Sequence, residues 1–233
     1  METLLKLIQL EIHKNKLTGI LKAFAIVILC ILGIMLLIIY DDRSANGGEF
    51  NTFPKIFGIL YALVKAAFII FASVLLGRLV INEYKNNTIT VLFMYPIPRK
   101  KLMMAKILIV FLFTLISIIL SDVVIIAALA GMNSFVHFIP EQLEMSMLLS
   151  QLTRIGTDAV CAAGIALIPL YFGMRNKSVS ATIVASVLVT CFVSAGTGDF
   201  QIGNLLGVSI VLGLLGACIV YLAIRNIETE DIA

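Results

Sequence analysis

Four ionisable residues sit where side chains of their kind are costly. Lys65, Asp122, Arg154 and Asp158 each fall inside a long apolar run. In hydrocarbon such residues pair with one another, face a cavity, or mark a path for ions or cargo. At 1.5 Å per residue, Lys65, Asp122 and Arg154 each lie roughly 12–14 Å from the outer end of their run. Asp158 is one turn deeper than Arg154 on the same helix face, at i,i+4. Two positive and two negative charges in the outer half predict a neutralised cluster joining the second, third and fourth runs. Two readings stay open: a structural ion-pair set holding a bundle together, or a set that lines or gates a substrate cavity.

The elements that carry these charges follow from composition. The chain has 233 residues, of which 61% are hydrophobic and 13% charged, and a mean hydropathy of +1.08. A soluble domain carries roughly 45–50% apolar and about 25% charged residues. The surplus excludes a soluble enzyme, a disordered chain and a disulfide scaffold. Six runs are marked, about 20–40, 56–81, 106–130, 147–171, 179–194 and 204–224. Each reaches or nearly reaches the ~20 residues that cross a bilayer, and the fifth, the shortest, has room to be tilted or partly re-entrant. Continuity of the runs favours helices over barrel strands. The expected fold class is an all-α integral membrane protein, a single domain over 1–233 with six transmembrane helices.

Placement of the basic residues sets the topology. Lys6, Lys14, Lys16 and Lys22 precede or enter the first run, and Lys85, Arg99, Lys100, Lys101 and Lys106 fill the second connection. Arg175 and Lys177 occupy the fourth connection and Arg225 follows the last run, whereas the odd-numbered connections hold only Arg43 and Lys55, both in the first, beside Asp41, Asp42, Glu49, Glu141, Glu144 and Asp199. The positive-inside rule then places both termini in the cytoplasm of a multi-pass cell-membrane protein. Residues 1–16 space Leu4, Leu5, Leu7, Ile8 and Ile12 at helical intervals among charged residues, an amphipathic helix lying in the membrane interface.

Chemistry is conspicuous by what it lacks. The sequence has no GxxxxGK[ST] loop, no HExxH and no GxSxG, and its two histidines, His13 and His137, lie outside the runs. Cys30, Cys161, Cys191 and Cys218 are scattered within apolar stretches without metal-ligand spacing. The expectation is no catalytic residue, no resident cofactor, no metal site and no nucleic-acid partner. The net charge of +3 itself says nothing about nucleic acid, because in a membrane chain the distribution of basic residues matters rather than their sum.

One connection carries information. Residues 82–106 read NEYKNNTITVLFMYPIPRKKLMMAK. Asn86, Asn87 and Thr88 are turn or N-cap residues ahead of a short apolar stretch, Ile89–Tyr95. Pro96 and Pro98 stop any helix, and a basic cluster follows. A short cytoplasmic helix with this much apolar surface either sinks into the interface or fits a groove on a partner. Arg99–Lys101 serve either such docking or simple anchoring to anionic lipid. In the last run, Ser209, Gly213 and Ala217, with Gly203 and Gly207 before them, have small-xxx-small spacing for close helix approach, either at a subunit interface or, the favoured reading, in packing within the subunit.

Glu83, Thr88, Pro96, Arg99 and Lys106 resemble the cytoplasmic signature of ABC-2-type transporter permeases. That pattern runs Glu, Gly-Thr, an apolar stretch, Pro-x-x-Arg and a Lys entering the third crossing. Asn87 stands where the family has Gly, and Asn tolerates the left-handed conformation. Among family members the chain is most similar to small six-helix permeases of bacitracin resistance and lantibiotic immunity. The resemblance implies a permease subunit of an ATP-driven exporter for an amphipathic or hydrophobic, antibiotic-like substrate. It implies a coupling helix within 82–101, in which Glu83, Asn87, Thr88, Leu92, Phe93, Pro96 and Arg99 meet a separate ATPase. The implied assembly has two ATPase copies, which hold the ATP and Mg, and a second permease as homodimer partner, in membrane lipid. A secondary ion or solute transporter and a non-transport immunity or scaffold protein are the alternatives.

Overall fold

The computed structural model describes residues 17–44, 53–82, 99–136, 145–197, 200–201 and 206–226. The N-terminal interfacial helix expected over 1–16 and the coupling stretch up to residue 98 lie outside these residues. Helix α1 spans Leu17–Ser44, α2 Phe53–Leu76, α3 Arg99–Val136 and α4 Met145–Ile165. Short α5, Pro169–Arg175, and α6, Val179–Val193, follow. A ladder of two-residue strands, β1 Gly196–Thr197 antiparallel to β2 Phe200–Gln201, leads to α7, Leu206–Asn226.

Four segments are long and apolar enough to cross a membrane: Gly19–Asp42, Phe53–Ile81, Met103–Asn133 and Gln151–Arg175. Two shorter apolar helices cover Val179–Val193 and Gly207–Ala223. The fourth segment is not one helix. A turn at residues 166–168 separates α4 from α5, and Pro169 stands in the first turn of α5. Proline has no N–H to donate and its ring clashes with the preceding turn, so the helix restarts there.

The core has two layers. Phe57, Leu60, Val64 and Phe68 of α2 pack with Ile118 and Ile125 of α3, Ile155 and Ala159 of α4, and Ile31 and Met35 of α1. Nearer the other end, Ile69, Leu76, Val80 and Ile81 pack with Ile107 and Val110 of α3 and Ile165 and Leu170 of α4 and α5. Helix α1 lies at the margin, with 11% of its span buried against 56% for α2. Leu21, Ile26, Leu29, Leu37 and Tyr40 are exposed along it, as suits a helix whose outer face meets lipid.

The most extensive packing joins α4 to α7, and small residues cause it. A methyl group added to Gly216 would strike the Gly164 carbonyl, and one on Gly164 would come within 2.9 Å of Gly213 Cα. The two backbones are therefore in direct contact. The small-residue face of α7 runs through buried Ser209 and Gly216 and half-buried Gly213, while Ala217 is exposed and Gly207 has open space beside it. The α5–α6 turn closes with Ser178 N–H donating to Gly173 O and Lys177 N–H to Met174 O, with Lys177 at φ 46°. This is the paired bonding of a Schellman cap, with lysine in the left-handed position usually given to glycine.

Candidate functional site

The core layer built on Leu60, Val64, Ile118 and Ile155 contains a polar cluster in an apolar setting. Tyr61 and Lys65 are one turn apart on α2, and Arg154 and Asp158 one turn apart on α4, so each helix presents two polar groups on one face. Lys65 Nζ lies 3.0 Å from Asp158 Oδ1, with both side chains almost fully buried. The Tyr61 hydroxyl donates to Gln151 Oε1 at 2.8 Å, and the Arg154 guanidinium stands 5.3 Å from the Tyr61 ring centre. Asp122, on α3 between Ile118 and Ile125, is 1% exposed and within electrostatic reach of both Lys65 and Asp158. Asp122 Oδ1 and Asp158 Oδ2 are buried with no hydrogen-bond partner among the described residues.

Thus Lys65 and Asp158 form the direct pair, Asp122 is their neighbour, and Arg154 is turned to an aromatic face. Tyr61 and Gln151 also belong to the cluster. Neither has a signature in the sequence beyond its position, Tyr61 at i−4 from Lys65 and Gln151 at i−3 from Arg154.

A second polar feature lies where α2 gives way to the 83–98 connection. There the helix widens into a π-helical turn, Gly77–Ile81. Such turns strain the hydrogen-bond ladder and recur at functional sites. Lys106 of α3, 2% exposed, donates from Nζ to Leu79 O at 3.1 Å. The turn is gripped on its other side by α5 and α6. A Cβ on Gly173 would strike Ile81 Cδ1 and Thr182 Oγ1, and one on Gly77 would come within 2.6 Å of Val179 Cγ1. Higher in the same contact, Ser186 Oγ of α6 hydrogen-bonds Ser73 Oγ of α2 at 2.9 Å.

Of the residues assigned to ATPase coupling, Glu83, Asn87, Thr88, Leu92, Phe93 and Pro96 lie outside the described residues, and Arg99 is the first residue of α3. Both ends of the connection are nevertheless placed. One leaves the π turn and the other enters α3 seven residues before Lys106, the residue that bonds back to that turn.

A bundle of long apolar helices with a buried ion pair and no metal-ligand group among the described residues defines a polytopic membrane component. Residues 7–194 match the family model described as ABC-2 family transporter protein. A relative, the uncharacterized protein YcbO of Bacillus subtilis (strain 168), is 38% identical over 227 residues, 97% of this chain and the whole of the relative. No solved structure matches. The chain belongs to the ABC-2 family of transporter membrane proteins.

Proposed function

We propose that this chain is the permease subunit of an ATP-driven exporter with six crossings and both termini in the cytoplasm. The two apolar helices Val179–Val193 and Gly207–Ala223 complete the six. At 15 residues, α6 spans about 22 Å at 1.5 Å per residue, so it crosses only if the bilayer thins or the β1–β2 turn dips into the interface. Two chains pair, and two copies of a separate ATPase bind beneath them, holding ATP and Mg; this chain itself is not an enzyme. Cargo is an amphipathic or hydrophobic compound of the antibiotic-peptide class, taken from the membrane. The subgroup of bacitracin-resistance and lantibiotic-immunity permeases is the model for that cargo class.

The observation that carries the reading is the family match over residues 7–194, which includes the 83–98 connection. Its two ends are braced by the Lys106–Leu79 bond. A push on the connection by the ATPase would be delivered to α2 and α3 together, and through the π turn to α5 and α6, as rigid-body switching requires. Purification of the tagged full chain from its own host is expected to recover a stand-alone ABC ATPase whose turnover depends on residues 82–101. Recovery of the intact chain with no ATPase, under conditions that keep such complexes together, would put the secondary-transporter reading in front.

A further inference from the structure

The three most deeply buried charged groups of the Tyr61–Lys65 cluster do not balance. Lys65, Asp122 and Asp158 are 3%, 1% and 3% exposed and supply one cation for two carboxylates. Lys65 meets Asp158 at Oδ1. Asp158 Oδ2 and Asp122 Oδ1 are left buried without a donor among the described residues. Of the other groups facing them, Tyr61 on α2 gives its proton to Gln151. On α4, Arg154 is half-buried over the Tyr61 ring, and Cys161 lies within electrostatic reach of Lys65 and Asp158. Helix α1 offers apolar Ile31 and Met35, and on α7 Cys218 and Tyr221 point outward.

An isolated buried carboxylate is strongly disfavoured unless paired, and a buried acceptor without a donor adds to the cost. Both deficits are met by one positive charge that takes no space. We propose that Asp122 and Asp158, with Lys65 between the helices, form a binding site for a single proton. It is carried as an O–H on the Asp122 carboxyl in the packed bundle. The proton comes from a hydronium ion when α2, α3 and α4 part: one hydronium O–H bond breaks, leaving water, as the O–H bond of the Asp122 carboxyl forms. It returns to water on the next opening, with no change of oxidation state. Protonation turns one of the donor-less oxygens into a donor and brings the buried trio to neutrality. Because the site is built from this chain alone, it can be tested without the ATPase.

The test is infrared spectroscopy of the full chain in lipid bilayers. Expected at neutral pH is the C=O stretch of a protonated carboxylic acid, shifted in D2O and shifted again when aspartate is labelled with 13C at its side-chain carboxyl. It should fade as pH rises and be absent in Asp122→Asn, whose amide copies the shape of the acid. The labelled wild-type chain gives the answer even if the variant fails to fold. Lack of a 13C-sensitive band at neutral pH overturns the proposal. So does its persistence in Asp122→Asn, or its appearance only after sodium and potassium are removed, which would give the charge to a metal ion.

Discussion

Lys106 Nζ and the Leu79 carbonyl are joined across 27 positions of sequence by a 3.1 Å hydrogen bond buried at the foot of the bundle. The π turn around Leu79 departs from regular α-helical bonding, and the ammonium group is placed where a cation favours the carbonyl end of a helix. Lys106→Met keeps the stem but removes the donor. A hydrogen bond to a charged group is worth about 1.5–3 kcal/mol, so a lower thermal midpoint is expected. ATP turnover of the complex should also run without transport. Lys106→Arg should restore coupling, and full coupling in Lys106→Met would show that the bond is dispensable.

The Lys65–Asp158 pair predicts a sharp asymmetry. Lys65→Met leaves an uncompensated carboxylate in the core and should cost about 3–5 kcal/mol, whereas replacing both partners by apolar groups should recover most of the loss. Denaturation of Lys65→Met, Asp158→Leu and the double variant in detergent measures this coupling. The reversed pair, Lys65→Asp with Asp158→Lys, asks a further question. Restored folding without transport would favour a cavity-lining role over a purely structural one.

Gly216→Ala places a methyl against the Gly164 carbonyl. Overpacking of this kind costs about 1–3 kcal/mol or more, because here the obstacle is backbone and cannot rotate away. Gly207→Ala, with open space beside it, should be neutral. Comparable thermal midpoints for the two variants would contradict direct contact between α4 and α7.

For the proposed coupling stretch, Thr88→Pro with Phe93→Asp should abolish stimulation of ATP turnover while the protein still inserts at normal abundance. Retained transport in that variant would remove the coupling helix from residues 89–95.

Charge and depth made part of the site legible. Lys65, Asp122, Arg154 and Asp158 stand out in apolar runs because hydrocarbon tolerates so few of them, and counting turns places them at matching heights. Which cation meets which anion depends on helix rotation, which a run of uniformly apolar residues leaves open. So the pairing of Lys65 with Asp158, and of Arg154 with the Tyr61 ring, appears only in the structure. The long apolar helices were readable for the same reason the rotations were not. The break between α4 and α5 did have a signal, Pro169, inside what reads as one continuous run. The π turn had none, since widening a helix by a residue changes neither composition nor length noticeably. Gly213 was visible as part of a small-residue stripe, but its partner Gly164 lies 49 positions away on another helix. The stripe's continuation through Gly216 rather than Ala217 follows from that partner.

The glycine contact between α4 and α7 also bears on how the bundle can move. Side chains packed between helices can change rotamer and let one element slip past another. At Gly164, Gly213 and Gly216 there are none to change, and the two main chains act as a welded beam. Any stroke delivered from the foot of α2 must carry α4 and α7 as one body. The turn at 166–168 follows two residues after Gly164, so the direct main-chain contact stops short of α5 and α6.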